Sequence, residues 1–128
     1  MRNIAYFLIP KNEVAYLYND CTVRQGIEKM RFHGYSAIPV IDKDGKYVRT
    51  VSEGDFLGYV ISESYSEYAP LDVIVEKKAN LPVKITASIE ELFGHACNQN
   101  FVPVTDDSGI FVGIVTRRQI IKYLCENK

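Results

Sequence analysis

The pattern of apolar and polar positions occurs twice along the chain. Each copy has an amphipathic helix, a β-rich run, a tight turn with glycine, a second β-rich run and a closing helix. Strands are predicted at 37–41 and 47–51, and again at 101–105 and 111–115. Short leading strands are predicted at 14–18 and 82–85. The predicted helix faces are Val23, Ile27 and Met30; Phe56, Leu57, Val60 and Ile61; Ile89, Leu92, Phe93 and Ala96; and Ile120, Ile121, Leu124 and Cys125.

The two copies align closely enough to indicate an internal duplication. Pro39 and Pro103 lie 64 residues apart, and the same spacing relates Gly45 to Gly109 without a gap. Upstream the spacing becomes 66 residues, because the second copy has a shorter loop between helix and strand. Repetition at a fixed period indicates a repeated supersecondary unit. The predicted unit is β-α-β-β-α, and the predicted fold class is α/β (α+β) with two such repeats.

Every predicted helix start carries the sequence of a capping box, in which a hydroxyl at the N-cap is followed three residues later by a side-chain acceptor. The pairs are Thr22 with Gln25, Ser52 with Asp55, Ser88 with Glu91, and Thr116 with Gln119. The predicted boundaries are 1–62 for the first repeat with an N-terminal segment, 63–80 for a crossover linker and 81–128 for the second repeat. The apolar stretch at 4–9 is expected to pack onto the core.

Composition narrows the function. The chain has 128 residues, 47% of them hydrophobic, and a net charge of -1, so no overall field favours nucleic acid or an anionic membrane. No apolar run approaches the length of a membrane-spanning helix. Three widely spaced cysteines without a Cys-x-x-Cys motif favour reduced thiols and a cytoplasmic location. His95 and Cys97 do not share a helix face, so no metal site is predicted. No motif of a nucleophilic enzyme or a nucleotide-binding loop occurs.

The duplicated unit resembles a pair of CBS domains (a Bateman module). The resemblance rests on an apolar-Pro-Val strand, an Asp-x-x-Gly turn and an apolar-Ser/Thr-x-x-Asp junction, and it extends from about Ile9 to Leu124. The chain is similar to the small stand-alone CBS-pair proteins of bacteria. The resemblance implies pseudo-two-fold packing with two clefts, binding of AMP, ADP, ATP, S-adenosylmethionine or, in some members, cyclic di-AMP, association into homodimers, and regulation of a partner protein without catalysis or a cofactor.

In the first copy, the resemblance assigns ribose and phosphate binding to Asp55 and Ser52. A carboxylate can accept hydrogen bonds from two adjacent ribose hydroxyls, and an open helix start favours a phosphate oxygen. The alternative is that Ser52 and Asp55 only cap the helix. A carboxylate turned inward and closed to solvent would contradict the sugar-binding role.

The second copy departs from the family pattern. Thr116 and Gln119 keep the cap but lose the carboxylate, so we predict unequal clefts, with the Asp55 site the stronger for a mononucleotide. Arg117 and Arg118 follow the cap directly. Two guanidinium groups at a helix N-terminus are unfavourable with the helix dipole, which suggests phosphate binding. The alternative is a solvated surface pair.

Apolar walls for the base are assigned by the same resemblance. They are Ala37, Ile38 and Pro39 in the first copy and Phe101, Val102 and Pro103 in the second. Ile38 and Val102 are expected in the core, with their neighbours facing the cleft. Tyr16 and Tyr35 can stack on adenine, although tyrosines also serve in cores and interfaces.

Three functions follow from these observations. The first is a sensor of an adenine nucleotide, with cyclic di-AMP as the alternative ligand. The second is a dimerisation or interaction module that binds no small ligand. The third, an enzyme, rests only on the presence of reactive residue types and is not predicted.

Overall fold

The computed structural model describes residues 3–126, and within them it contains four α-helices, seven strands and three short 3₁₀-helical turns. The strands are β1 (Ile9–Pro10), β2 (Leu17–Tyr18), β3 (Ala37–Ile41), β4 (Tyr47–Ser52), β5 (Val83–Lys84), β6 (Phe101–Thr105) and β7 (Phe111–Thr116). The helices are α1 (Val23–His33), α2 (Glu53–Val60), α3 (Ile89–Ala96) and α4 (Arg117–Glu126). The 3₁₀ turns are Ile4–Phe7, Lys11–Glu13 and Leu71–Val73. The predicted α/β class and the repeated unit are confirmed, and the leading strands are shorter than predicted.

The chain divides into two compact units. The first-repeat unit is Ala15–Ala79, and the second-repeat unit combines Asn80–Lys128 with Met1–Val14. This division differs from the boundaries expected from the sequence, which placed the N-terminal segment with the first repeat. The expected linker at 63–80 also differs, because residues 63–79 lie within the first-repeat unit.

Both units are built on the same hairpin. β3 pairs antiparallel with β4, and β6 pairs antiparallel with β7. Each ladder has one register shift, after Val40 in the first hairpin and after Val104 in the second. The turn glycines, Gly45 and Gly109, have φ of 86° and 85°, a conformation that side chains disfavour. The leading strands β2 and β5 pair in parallel with β3 and β6.

The helix starts use the hydroxyl caps that the sequence predicts. Thr22 and Ser52 each form the complete capping box, in which hydroxyl and backbone bonds are reciprocal. Ser88 accepts from Glu91 N–H, and Thr116 accepts from Gln119 N–H. No return bond to the N-cap amide is present at these two starts within residues 3–126.

Each unit has its own apolar core. The first is formed by Ala15, Leu17, Val23, Met30, Ile38, Val40, Val51, Phe56, Leu71 and Ile74. The second is formed by Ile4, Phe7, Val83, Leu92, Ala96, Val102, Val104, Val115 and Ile120. Part of each core comes from the segment that precedes the other repeat: Leu71 and Ile74 in the first unit, Ile4 and Phe7 in the second. The predicted packing of residues 4–9 is therefore onto the second core.

Each unit binds the segment that precedes the other repeat, but the two units do so through different contacts. In the second-repeat unit, β1 pairs with β7, and Pro10 lies opposite Gly113. A Cβ at Gly113 would overlap the carbonyl oxygen of Ile9, so only glycine allows this approach. The equivalent residue in the first unit is Arg49. Its guanidinium donates to the carbonyls of Leu71, at 2.7 Å, and Ile74.

We expect Gly113→Ala to destabilise the protein by about 2–3 kcal/mol, because the added methyl group would force β1 away from β7. Urea unfolding of the unmodified protein and of the Gly113 variant measures this difference in the free energy of unfolding. Gly94→Ala is the matched control: apart from its chain neighbours and the backbone of its own helix, no atom lies within 4 Å of a Cβ at this position. It should stabilise by up to about 1 kcal/mol. Equal effects from the two substitutions would contradict the steric explanation.

Candidate functional site

The register of the first hairpin brings the candidate residues of the first repeat together. Ala37 lies opposite Ser52, where β4 ends and α2 begins. Ser52 N–H donates to Asp55 Oδ2 at 3.0 Å, and Asp55 N–H donates to Ser52 Oγ at 3.1 Å. Glu53 N–H donates to the carbonyl of Ser36 at 2.9 Å. Most donors at this helix start are therefore already used, whereas the sequence predicts open donors there.

Asp55 is the candidate residue whose environment differs most from the expectation. Its other carboxylate oxygen, Oδ1, accepts a hydrogen bond from the backbone N–H of Lys77 at 3.0 Å. The residue is only 5% exposed. Both oxygens thus bind backbone amides, and the carboxylate is closed to solvent in this conformation. This arrangement contradicts the expectation of an open carboxylate that binds a sugar. Contact with a ligand requires Asp55 to exchange one of these two hydrogen bonds for a bond with the ligand.

The apolar wall residues are mostly buried. Ile38 and Val102 are 0% exposed, as expected of core residues, and their side chains do not reach a ligand from there. Pro39 and Pro103 are buried as well, whereas Ala37 and Phe101 are half-buried. Ala37 and Phe101 are therefore the wall positions that retain accessible surface.

The two candidate stacking tyrosines already have neighbours. The ring of Tyr16 packs edge-on against Tyr18, with centroids 5.8 Å apart, and Lys29 Nζ lies 5.3 Å from its centroid. Burial, reinforced by Tyr18, raises the pKa of the Tyr16 hydroxyl. The Tyr35 hydroxyl accepts from Ala15 N–H at 3.3 Å. Tyr16 is half-buried and keeps part of its surface accessible.

The second hairpin repeats the geometry with different chemistry. Phe101 lies opposite Thr116, and Thr116 Oγ1 caps Gln119 N–H at 3.2 Å. The side-chain amide of half-buried Gln119 makes no hydrogen bond within residues 3–126. The position equivalent to Asp55 is therefore uncommitted in the second repeat.

Arg117 has a clear structural role. Its guanidinium donates to the carbonyls of Ala96, at 2.7 Å, and Cys97, at 3.0 Å, and to Asn100 Oδ1 at 3.3 Å. These carbonyls end α3, where a cation is favourable with the helix dipole. This contact offsets the unfavourable position at the start of α4. Arg118 is exposed and forms no hydrogen bond or ion pair with another described residue.

The two helix starts consequently differ in charge. Glu53 and Asp55 begin α2, whereas Arg117 and Arg118 begin α4. Side-chain charge therefore disfavours a phosphate group at the first start and favours one at the second. The sequence identifies Asp55, Arg117 and Arg118 as candidates. It does not indicate Lys77, because a backbone amide leaves no signal in the sequence.

Other kinds of site find no support in the described part of the chain. No group of three or more His, Cys, Asp or Glu side chains there is arranged to hold a metal ion. No helix within residues 3–126 is long and apolar enough to cross a membrane.

These features agree with the comparison to protein families. The CBS domain model matches the chain twice, at residues 7–62 and 75–126. The chain therefore belongs to the CBS domain family and carries a tandem pair of these domains.

Among curated proteins, the chain is similar to Cyclic di-AMP receptor B of Bacillus subtilis (strain 168). The two are 26% identical over 125 residues, which cover 94% of this chain and 85% of the receptor. The crystal structure of CbpB in complex with c-di-AMP aligns with a TM-score of 0.87 and 25% identity, covering 98% of this chain and 85% of the other. The structure of CBSX2 in complex with AMP has a TM-score of 0.77, 21% identity and 98% coverage of both chains, which establishes the shared fold.

We expect Arg117→Ala to destabilise the protein by about 1–2 kcal/mol, because three acceptors at the end of α3 lose their donor. Arg118→Ala should change stability by less than about 0.5 kcal/mol. Urea unfolding curves of the two variants provide the comparison. Loss of equal stability from both would contradict the role assigned to Arg117.

Proposed function

We propose that this CBS pair is a regulatory sensor of an adenine nucleotide. The observation that carries the proposal is the repeated hairpin-to-helix junction: Ala37 beside Ser52 and Asp55 in one unit, and Phe101 beside Thr116 and Gln119 in the other. Membership of the CBS family supports a ligand-binding role for these junctions. The expected output is a signal to a regulated protein rather than catalysis.

Cyclic di-AMP is the ligand with the most direct support. The curated relative named as its receptor is covered over 85% of its length. The ligand's chemistry also suits the first junction, because each phosphodiester carries a single charge. Cyclic di-AMP thus places less charge per adenine beside Glu53 and Asp55 than ATP does. AMP, with a single phosphate, is the second ligand to test.

Unequal sites remain part of the proposal, with the Asp55 site the stronger for a mononucleotide. Side-chain charge also gives the two helix starts different preferences. The acidic start of α2 favours a sugar, whose hydroxyl groups are hydrogen-bond donors to a carboxylate. The basic start of α4 favours phosphate, and Arg118 is the guanidinium available there, since Arg117 is bound to the end of α3.

One observation favours the second candidate function, a dimerisation module without a small ligand. The Ser52 and Asp55 cap is complete, and so is the similar cap of Thr22 and Gln25 at α1, for which no ligand is proposed. A satisfied cap needs no ligand. A comparison of ligand binding after loss of each cap therefore distinguishes the two candidate functions.

We propose a homodimer as well, formed through the helices of the first-repeat unit. A groove of about 440 Å³ lies between α1 and α2, and its walls include Ile27, Met30, Phe56, Leu57 and Val60. Phe32, Leu57 and Ile61 are 85%, 60% and 76% exposed. Large exposed apolar side chains on the two helices support an interface there.

A cytoplasmic location completes the proposal. Its support is chemical: Cys21, Cys97 and Cys125 are all free thiols, and two of them are exposed. Such thiols persist in a reducing compartment.

Calorimetric titration with cyclic di-AMP and AMP tests ligand binding. We expect Ser52→Ala and Asp55→Asn to weaken binding at least about tenfold, because each removes a polar partner of the ligand. Thr22→Ala is the matched control, since it also costs about 1 kcal/mol of helix capping but lies at α1. No heat with either nucleotide, or equal affinities for the Ser52 and Thr22 variants, would favour the ligand-free module.

The dimer is tested by sedimentation velocity without nucleotide. Leu57→Glu should shift the protein toward the monomer, because a carboxylate cannot be buried in an apolar interface without a partner. Val75→Glu is the control, since Val75 is 80% exposed and does not line the groove. A Leu57 variant that sediments as the unmodified protein does would contradict this interface.

A further inference from the structure

Asp55 joins the proposed ligand site to the connection between the two repeats. Its bond with Ser52 is local, but its bond with Lys77 N–H spans 22 residues. The side chain to which the proposed function assigns a sugar therefore holds the segment that leads from the first repeat to the second. The same carboxylate would serve both purposes.

The segment between the repeats has a firm anchor at each end. At the first end, Leu71 and Ile74 are buried and Arg49 donates to their carbonyls. At the second end, Gln99 Nε2 donates to Asn80 Oδ1 at 2.7 Å. Residues 75–79 lie between these anchors.

Four of the five residues between the anchors are exposed, namely Val75, Lys77, Lys78 and Ala79. Glu76 Oε2 is buried and has no hydrogen-bond partner among the described residues, which leaves an unfavourable group in this segment. The bond from Lys77 N–H to Asp55 is a charge-assisted attachment of this stretch.

The geometry leaves no room for sugar and segment together. Asp55 is 5% exposed, and backbone amides bind both of its oxygens. A ribose hydroxyl needs a carboxylate lone pair that faces the ligand. Loss of the Ser52 bond would break the cap of α2, whereas loss of the Lys77 bond leaves helix and hairpin intact. The Lys77 bond is therefore the one that a ligand can replace.

We propose that the backbone amide of Lys77 donates its hydrogen bond to Asp55 in the ligand-free state. A bound nucleotide replaces this hydrogen bond and thereby releases residues 75–79. This inference rests on the proposed function. The ligand-free protein is held in a self-inhibited form, and binding frees the covalent connection that enters the second-repeat unit at Asn80. A competing intramolecular contact lowers the apparent affinity by the fraction of molecules in which the contact is open.

Two variants and one measurement on the unmodified protein test this switch. Lys77→Pro removes the amide proton, so we expect it to bind cyclic di-AMP or AMP about tenfold more tightly. Ala79→Pro is the matched control, because the Ala79 amide has no hydrogen bond with the described residues. In the unmodified protein, NMR-detected hydrogen exchange of the Lys77 amide should be slow without nucleotide and markedly faster at saturation.

The outcomes separate this switch from the proposed function. Faster exchange at Lys77 on binding, with tighter binding by the Lys77 variant alone, supports the switch. Binding with the Lys77 amide still protected overturns the switch and leaves the sensor intact, and this readout stands even if Lys77→Pro does not fold. If neither the unmodified protein nor the Lys77 variant binds either nucleotide, both the sensor and the switch are rejected.

Discussion

The structure depends first on the register of two antiparallel hairpins. Ala37 lies opposite Ser52, and Phe101 lies opposite Thr116, so each closing helix begins beside the first residue of the preceding strand. A slip of one residue would turn every side chain of the strand to the other face and move the helix start. The shared register shift and the shared glycine turn fix this register in both copies. The candidate site is a consequence of that pairing rather than an addition to it.

The copies meet the same packing demand with different residues. In the first unit, Gly26 lets the ring of Phe56 approach to 3.0 Å of its Cβ position. The equivalent positions in the second unit are Leu92 and Ile120, both in the core. A small residue beside a large one has been exchanged for two of middle size, which conserves volume. The duplication therefore preserves shape while the surface chemistry of the helix starts diverges.

The sequence predicts what depends on neighbouring residues and misses what depends on distant ones. Periodicity gave β3 and β6 at their observed bounds, and the hydroxyl caps were found at all helix starts. The packing of Ile4 and Phe7 on the second core carries no local signal, because the sequence shows only that they are apolar. The burial of Asp55 and the binding of Arg117 to the end of α3 could not be predicted from the sequence for the same reason. Each depends on a carbonyl or amide some twenty residues away.

Opposite charge at two equivalent helix starts has a physical consequence for recognition. Acidic residues at the start of α2 interact favourably with the helix dipole and need no ligand. Basic residues at the start of α4 interact unfavourably with the dipole of their helix. Arg117 relieves that opposition through the carbonyls of α3, but Arg118 has no such partner among the described residues. An anion at α4 would satisfy both Arg118 and the dipole, whereas at α2 it would oppose Glu53 and Asp55. The electrostatic preferences of the two copies therefore differ, even where the backbone geometry is the same.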